Sequence, residues 1–194
     1  MVGVRQFNED RLLGDALELF WKKGFSATSM QELAAVTGVQ RGSLYNAYGS
    51  KEALFLRAYL ALHDRYLSRV RATLAAPDPR AALAAFFDFT IETIRQNGRG
   101  CLTTKTATDE AARDPKIRQA LQTLLTGLET CLVERLESEQ IHLRLPVGAA
   151  ARLVVTHTRG LAVMERIHDD SARLKADAMT LVDLILKAPE SPAP

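Results

Sequence analysis

The chain has 194 residues, 47% of them hydrophobic and 25% charged, with a formal net charge of +2. It can bury a substantial core in one or two domains, and its mild charge means that any nucleic-acid affinity must come from local placement of bases. Two cysteines are too few for a disulfide framework, and no apolar run reaches the roughly 20 residues of a membrane span, so a cytoplasmic protein with no membrane partner is expected.

Residues 1–7 form a loose arm in which Arg5 is either solvated or a nucleic-acid contact. Asn8 caps the first helix, and Glu9 and Asp10 sit favourably against its N-terminal dipole. Leu12, Leu13, Ala16, Leu17, Phe20 and Trp21 make one apolar stripe before Gly24 ends the helix. The run TSMQELAAVTGVQRGSLYNAYGSKEAL follows from Thr28. Thr28 is expected to cap a second helix, with Gln31 completing a capping box, and Met30, Leu33 and Ala34 mark its buried face. Gly38 stands where this helix must stop and the chain reverse. Val39 plugs the angle between the second and third helices and Leu44 anchors the third from below, leaving Gln40, Arg41, Ser43, Tyr45 and Asn46 outward, while Gly42 permits close approach of backbone. No carboxylate lies between Glu32 and Glu52, as a surface resting on a polyanion requires. The pattern predicts a helix-turn-helix whose second helix enters a DNA major groove. Two short helices inside an all-α enzyme or interaction scaffold are the competing reading.

Ser50 caps the next helix, which runs from Lys51 to about Ala75. A lysine opposes the helix dipole at that position unless a phosphate meets it. Asp78 and Pro79 open a helix to about Gln96; a threonine-rich helix spans Cys101 to Ala112; Asp114 and Pro115 begin one to about Glu139. Pro146 and Ser171 begin the last two, and the tail 189–194 is expected to be disordered. No period-two alternation occurs. The predicted fold is all-α, about nine helices, without internal repeats.

The run GFSATSMQELAAVTGVQRGSLYNAYGSKEALF resembles the DNA-binding domain of the tetracycline-repressor (TetR) family over about residues 8–58. The likeness lies in Gly-Phe closing the first helix, Thr-Ser before the second, Ala-x-x-x-Gly-Val at the turn, Gly-x-Leu-Tyr in the third and Ser-Lys-Glu-x-Leu opening the fourth. Tyr48 departs from the phenylalanine more usual there. The division expected is a helix-turn-helix domain over 1–54, a connecting helix over 51–75, and an effector and dimerisation domain over 55–188. Gln40, Arg41, Gly42, Ser43, Tyr45 and Asn46 are assigned to the groove, and Thr28, Ser29, Tyr48 and Lys51 to phosphates.

The last two long helices are apolar over wide faces, which predicts a homodimer through a four-helix bundle, as the resemblance also implies. Two recognition helices about 34–36 Å apart would read a palindromic operator on double-stranded DNA. The resemblance further implies a small-molecule pocket that controls release of a repressor. Its candidate lining is Phe86, Phe89, Thr90, Cys101, Thr104, Thr108, His157 and Met164, each of which also has an ordinary core or helix-surface reading. Aromatics and few charges suggest an apolar or aromatic effector. Cys101 opens a helix near Arg99 and Lys105, so it is either a reactive redox or electrophile sensor or a small buried apolar residue. The histidines, His63, His142, His157 and His168, lack metal-binding spacing, and there is no phosphate loop or nucleophile elbow. No catalytic residue, metal or cofactor is expected.

Overall fold

The computed structural model describes residues 8–98, 100–137 and 143–187, with Asn97 described by its backbone alone. The expectations for Arg5, Arg99, His142 and the tail 189–194 fall outside these residues. The described elements are α1 (Glu9–Lys23), α2 (Met30–Thr37), α3 (Arg41–Tyr48), α4 (Lys51–Leu74), α5 (Pro79–Arg95), α6 (Leu102–Ala107), α7 (Pro115–Leu136), α8 (Val147–His168) and α9 (Ser171–Ile185). Two 3₁₀ turns, Gln96–Gly98 and Glu110–Arg113, complete the regular structure of an all-α protein.

The helices begin where side chains can satisfy orphan backbone donors. Asn8 Oδ1 accepts from the Arg11 N–H at 3.1 Å, Ser50 Oγ from Ala53 at 3.1 Å and Asp78 Oδ2 from Ala81 at 2.6 Å. The cap of α2 is Ser29, not Thr28, and its capping-box partner is Glu32, not Gln31. The reason is packing: the Thr28 hydroxyl is buried and donates to the Gly24 carbonyl at 2.7 Å, so it is not available to α2. The expected helix over Cys101–Ala112 is also broken. Asp109 adopts an extended backbone, accepts from the Ala111 N–H at 2.9 Å and starts a separate 3₁₀ turn.

The chain forms two compact units. The first joins the described residues up to Arg65 with Leu102–Thr123; the second joins Tyr66–Cys101 with those from Leu124 onward. A division at residue 54 therefore leaves out a segment that belongs with the helix-turn-helix. In the first unit Leu12, Leu17, Leu33 and Leu44 are buried around an aromatic chain in which Phe55 meets Phe20 at 5.2 Å, Phe25 at 5.3 Å and Tyr59 at 5.6 Å. Each such ring contributes roughly 1.5–3 kcal/mol by leaving water.

Helix α6 and its 3₁₀ turn close this unit. Tyr59 Oη and Thr103 Oγ1 lie 2.9 Å apart. Lys105 Nζ donates to the carbonyls of Trp21 at 2.9 Å and Lys22 at 2.8 Å, at the C-terminal end of α1 where a cation suits the helix dipole. Asp109 accepts from the Ser26 N–H at 3.3 Å and from the Ser26 hydroxyl. Gly24, at φ +89°, is needed here: a Cβ would stand 3.3 Å from Asp109 Oδ2 in a backbone conformation that side chains resist.

In the second unit α5 packs against α8 and α9. Leu83, Phe86, Phe87 and Ile91 of α5 are buried, as are Val154 and Leu161 of α8 and Leu174 and Val182 of α9. The outer stripe of α8 carries Leu153, Val163, Met164 and Ile167, all exposed, and α9 adds exposed Leu184.

Candidate nucleic-acid interface

Helix α3 is pinned by Leu44, which is fully buried, so the residues flanking it on the helix must turn outward. Arg41, Gly42, Ser43, Tyr45 and Asn46 are exposed, and so is Gln40 at the N-cap, whose side chain makes no capping bond. Gly38 adopts the left-handed conformation (φ +67°) that the corner between α2 and α3 requires. A Cβ on Gly42 would meet nothing within 4 Å, so nothing in the folded chain itself demands glycine there. The Arg41 guanidinium lies 5.5 Å from the centre of the Tyr45 ring, which keeps two long groove candidates together.

Beside this face is a cavity of about 490 Å³ lined by Ser29, Gln31, Arg41, Tyr45, Ser50 and Lys51, among others. Gln31 and Ser50 were not assigned a contact from the sequence; their signal was their place in the first turn or cap of a helix. Ser29 is exposed, its hydroxyl accepting from the Glu32 N–H at 3.2 Å and donating to Glu32 Oε2 at 2.8 Å. The Lys23 ammonium, then the Ser29 N–H and hydroxyl, hold the Glu32 carboxyl down at about 2. Tyr48 is half-buried.

Two of the phosphate candidates have their polar groups turned onto the chain itself. Thr28 is buried with its hydroxyl engaged, as described. Lys51 is directed inward: Nζ donates to the carbonyls of Phe25 at 3.0 Å and Thr28 at 2.8 Å and lies 4.3 Å from the Phe25 ring centre. These carbonyl dipoles offset its unfavourable place at the start of α4.

The small-molecule candidates are dispersed. Phe86 and Thr90 are buried in the second unit, and Phe89 is half-buried there, stacked on Tyr66 at 5.4 Å. His157 meets Phe87 edge-on at 5.9 Å; burial lowers its pKa, against an opposing pull from Asp177. Thr104 and Thr108 belong to the first unit, and Thr108 is exposed, its hydroxyl bonded back to the Thr104 and Lys105 carbonyls. Met164 is on the exposed stripe of α8. Met164 faces solvent because helix phase puts it outside, and Thr108 because it lies in the turn after α6.

Cys101 is half-buried, and Arg159 Nη1 donates to its Sγ at 3.2 Å. Arg159 and Tyr66, near this thiol, were missed by sequence reasoning. Nothing in local pattern links residues 58 positions apart.

Residues 12–58 match the family described as bacterial regulatory proteins, tetR family. YerO of Bacillus subtilis, an uncharacterized HTH-type transcriptional regulator, is 35% identical over 89 residues, covering 42% of this chain and 31% of YerO. The chain thus spans less than a third of that relative. Over 94% of this chain and 98% of the other, the fold is that of reduced Escherichia coli NemR (TM-score 0.83, 23% identity). A cysteine mutant of the TetR family regulator CifR, complexed with 26-bp double-strand operator DNA, is similar over 93% of this chain and 98% of its own (TM-score 0.79, 27% identity). Residues 12–58 thus carry the DNA-binding domain of the tetR family of bacterial regulatory proteins, and the chain shares the fold of solved regulators of that family.

Proposed function

We propose that the protein is a homodimeric repressor that holds a palindromic operator through α3 and releases it when a small molecule occupies the second unit. The observation that carries this is the face of α3: Gln40, Arg41, Ser43, Tyr45 and Asn46 exposed over a buried Leu44, with no carboxylate from Glu32 to Glu52. Bidentate pairs from such residues to base edges discriminate by about 1–3 kcal/mol each. The operator complex of the CifR mutant supports the same use of DNA. The exposed apolar stripe of α8 together with Leu184 of α9 supports self-association through these helices. Selection of bound fragments from random duplex DNA, followed by a salt titration and sedimentation, tests all of this. A two-fold symmetric site bound by a dimer is expected; a monomer indifferent to sequence at low salt would refute it.

A second reading is favoured by one contact. The Arg159 guanidinium 3.2 Å from Cys101 Sγ stabilises a thiolate, the nucleophilic form, which supports a cysteine-based redox or electrophile sensor. Treatment with N-ethylmaleimide should then weaken DNA binding of the wild type and leave Cys101→Ser unaffected.

A further inference from the structure

We propose that the second unit binds a small organic carboxylate, held by the Arg159 guanidinium with the Thr90 and Tyr66 hydroxyls as flanking donors. This rests on the reading that the unit holds an effector site, and it replaces a merely apolar effector with an anionic one.

Arg159, on α8, is half-buried, and among the described residues no carboxylate meets it. Nε and Nη2 both donate to the single hydroxyl oxygen of Thr158, at 3.2 and 3.1 Å, and Nη1 donates to Cys101 Sγ. A guanidinium presents five N–H donors in a rigid fork whose best partner is a bidentate carboxylate. Here the fork has one shared hydroxyl, one sulfur (a weak acceptor) and the Tyr66 phenol beside it. Thr90, on α5, is 1% exposed; its Oγ1 makes no short hydrogen bond and faces the Tyr66 phenol. A buried hydroxyl so loosely held can turn to a stronger acceptor.

Tyr66, on α4, brings these groups together. Burial pushes its phenol up, the Thr90 hydroxyl and the Arg159 guanidinium pull it down, and Cys101 adds to the rise, so all four side chains share one environment. The phenol stays protonated and is a donor. Arg166, seven residues along α8 from Arg159, places its Cδ 3.6 Å from where a Cβ on Gly100 would stand, which brings a second arginine to the residue before Cys101. The cluster is rich in donors and poor in acceptors. A cationic ligand would face Arg159, and a neutral apolar one would leave the fork and Thr90 unmet. The Phe89 ring, stacked on Tyr66, offers an aromatic flank to the ligand's body. A carboxylate on the fork competes with Cys101 Sγ, so binding is legible at the thiol.

The test uses the full chain with benzoate and hexanoate as probes and benzyl alcohol and hexanol as controls. Melting temperature and the rate of Cys101 alkylation by iodoacetamide are followed. Both acids at millimolar concentration should raise the melting temperature by a few degrees and change the alkylation rate by about threefold or more, the alcohols doing neither. Arg159→Met should abolish the response, Arg159→Lys keep part of it, and Thr90→Val weaken it; the last two decide the matter if the first does not fold. Acids and alcohols acting alike, or an undiminished response in both Arg159→Lys and Thr90→Val, would overturn the proposal. DNA affinity is measured separately. Binding to a selected duplex with no acid response at all removes this assignment and leaves the regulator standing. Acid binding through Arg159 that never alters duplex affinity supports the site and removes release by this ligand.

Discussion

Lys51 meets Phe25 twice: its ammonium lies 4.3 Å from the ring centre and donates to the Phe25 carbonyl at 3.0 Å. With the further bond to the Thr28 carbonyl, the lysine ties the start of α4 to the corner that leads into α2. Lys51→Met should cost roughly 1–3 kcal/mol of stability, because charge-assisted bonds to two carbonyls are lost. It should weaken binding to every duplex while leaving the salt dependence unchanged. A slope reduced by about one unit would instead mean a direct phosphate contact.

Arg41 makes the opposite case. It is exposed, and its only described contact is the Tyr45 ring. Arg41→Ala should leave stability within about 0.5 kcal/mol of the wild type. Preference at one or two operator positions should fall by about 1–3 kcal/mol, read from binding to a set of single-base operator variants.

Glu32 supplies a pH dependence. Its carboxyl titrates near 2 in the folded chain against an ordinary 4.5, so its contribution is present above 4.5 and fades as pH falls toward 2. Glu32→Gln should therefore be less stable than the wild type at neutral pH and equal to it near pH 2. Urea unfolding across that range checks the sign; a difference that grows on acidification would refute it.

Lys105 and Asp109 should behave as fasteners of the α1–α2 corner. Partial burial raises the Asp109 pKa, but the Ala111 and Ser26 N–H groups, the Ser26 hydroxyl and the Lys51 charge outweigh it, leaving the net value lowered. Lys105→Met and Asp109→Asn should each cost about 1–2 kcal/mol and speed amide exchange over residues 24–29. Protection unchanged in both variants would show that the fasteners carry no strain.

The two cysteines should separate cleanly. Cys131 is buried, and burial pushes its thiol up. Peptide mapping after brief maleimide treatment should find label on Cys101 alone, and Arg159→Met should slow that labelling.

Helix starts were legible because a cap is local: Asn8, Ser50, Asp78 and Asp114 each have their acceptor oxygen within three residues of the donor it serves. The α2 cap was misassigned by one residue because Thr28-Ser29 followed by Gln31-Glu32 spells the capping box in two registers. Only the inward turn of Thr28 chooses between them. The outward face of α3 was legible once Leu44 was taken as the anchor. Lys51 was not, since its partners lie 23 and 26 residues earlier, on carbonyls that no side-chain pattern reports. Thr108 and Met164 have pocket-like chemistry, but the break after α6 exposes the first and helix phase the second.

The grip of α6 on α1 bears on protein engineering. A chimaeric regulator made by grafting residues 8–65 onto a foreign sensor would strip the Trp21 and Lys22 carbonyls of the Lys105 ammonium, and Ser26 of its carboxylate. The portable cassette is discontinuous: the headpiece travels intact only when residues 102–113 are transplanted with it.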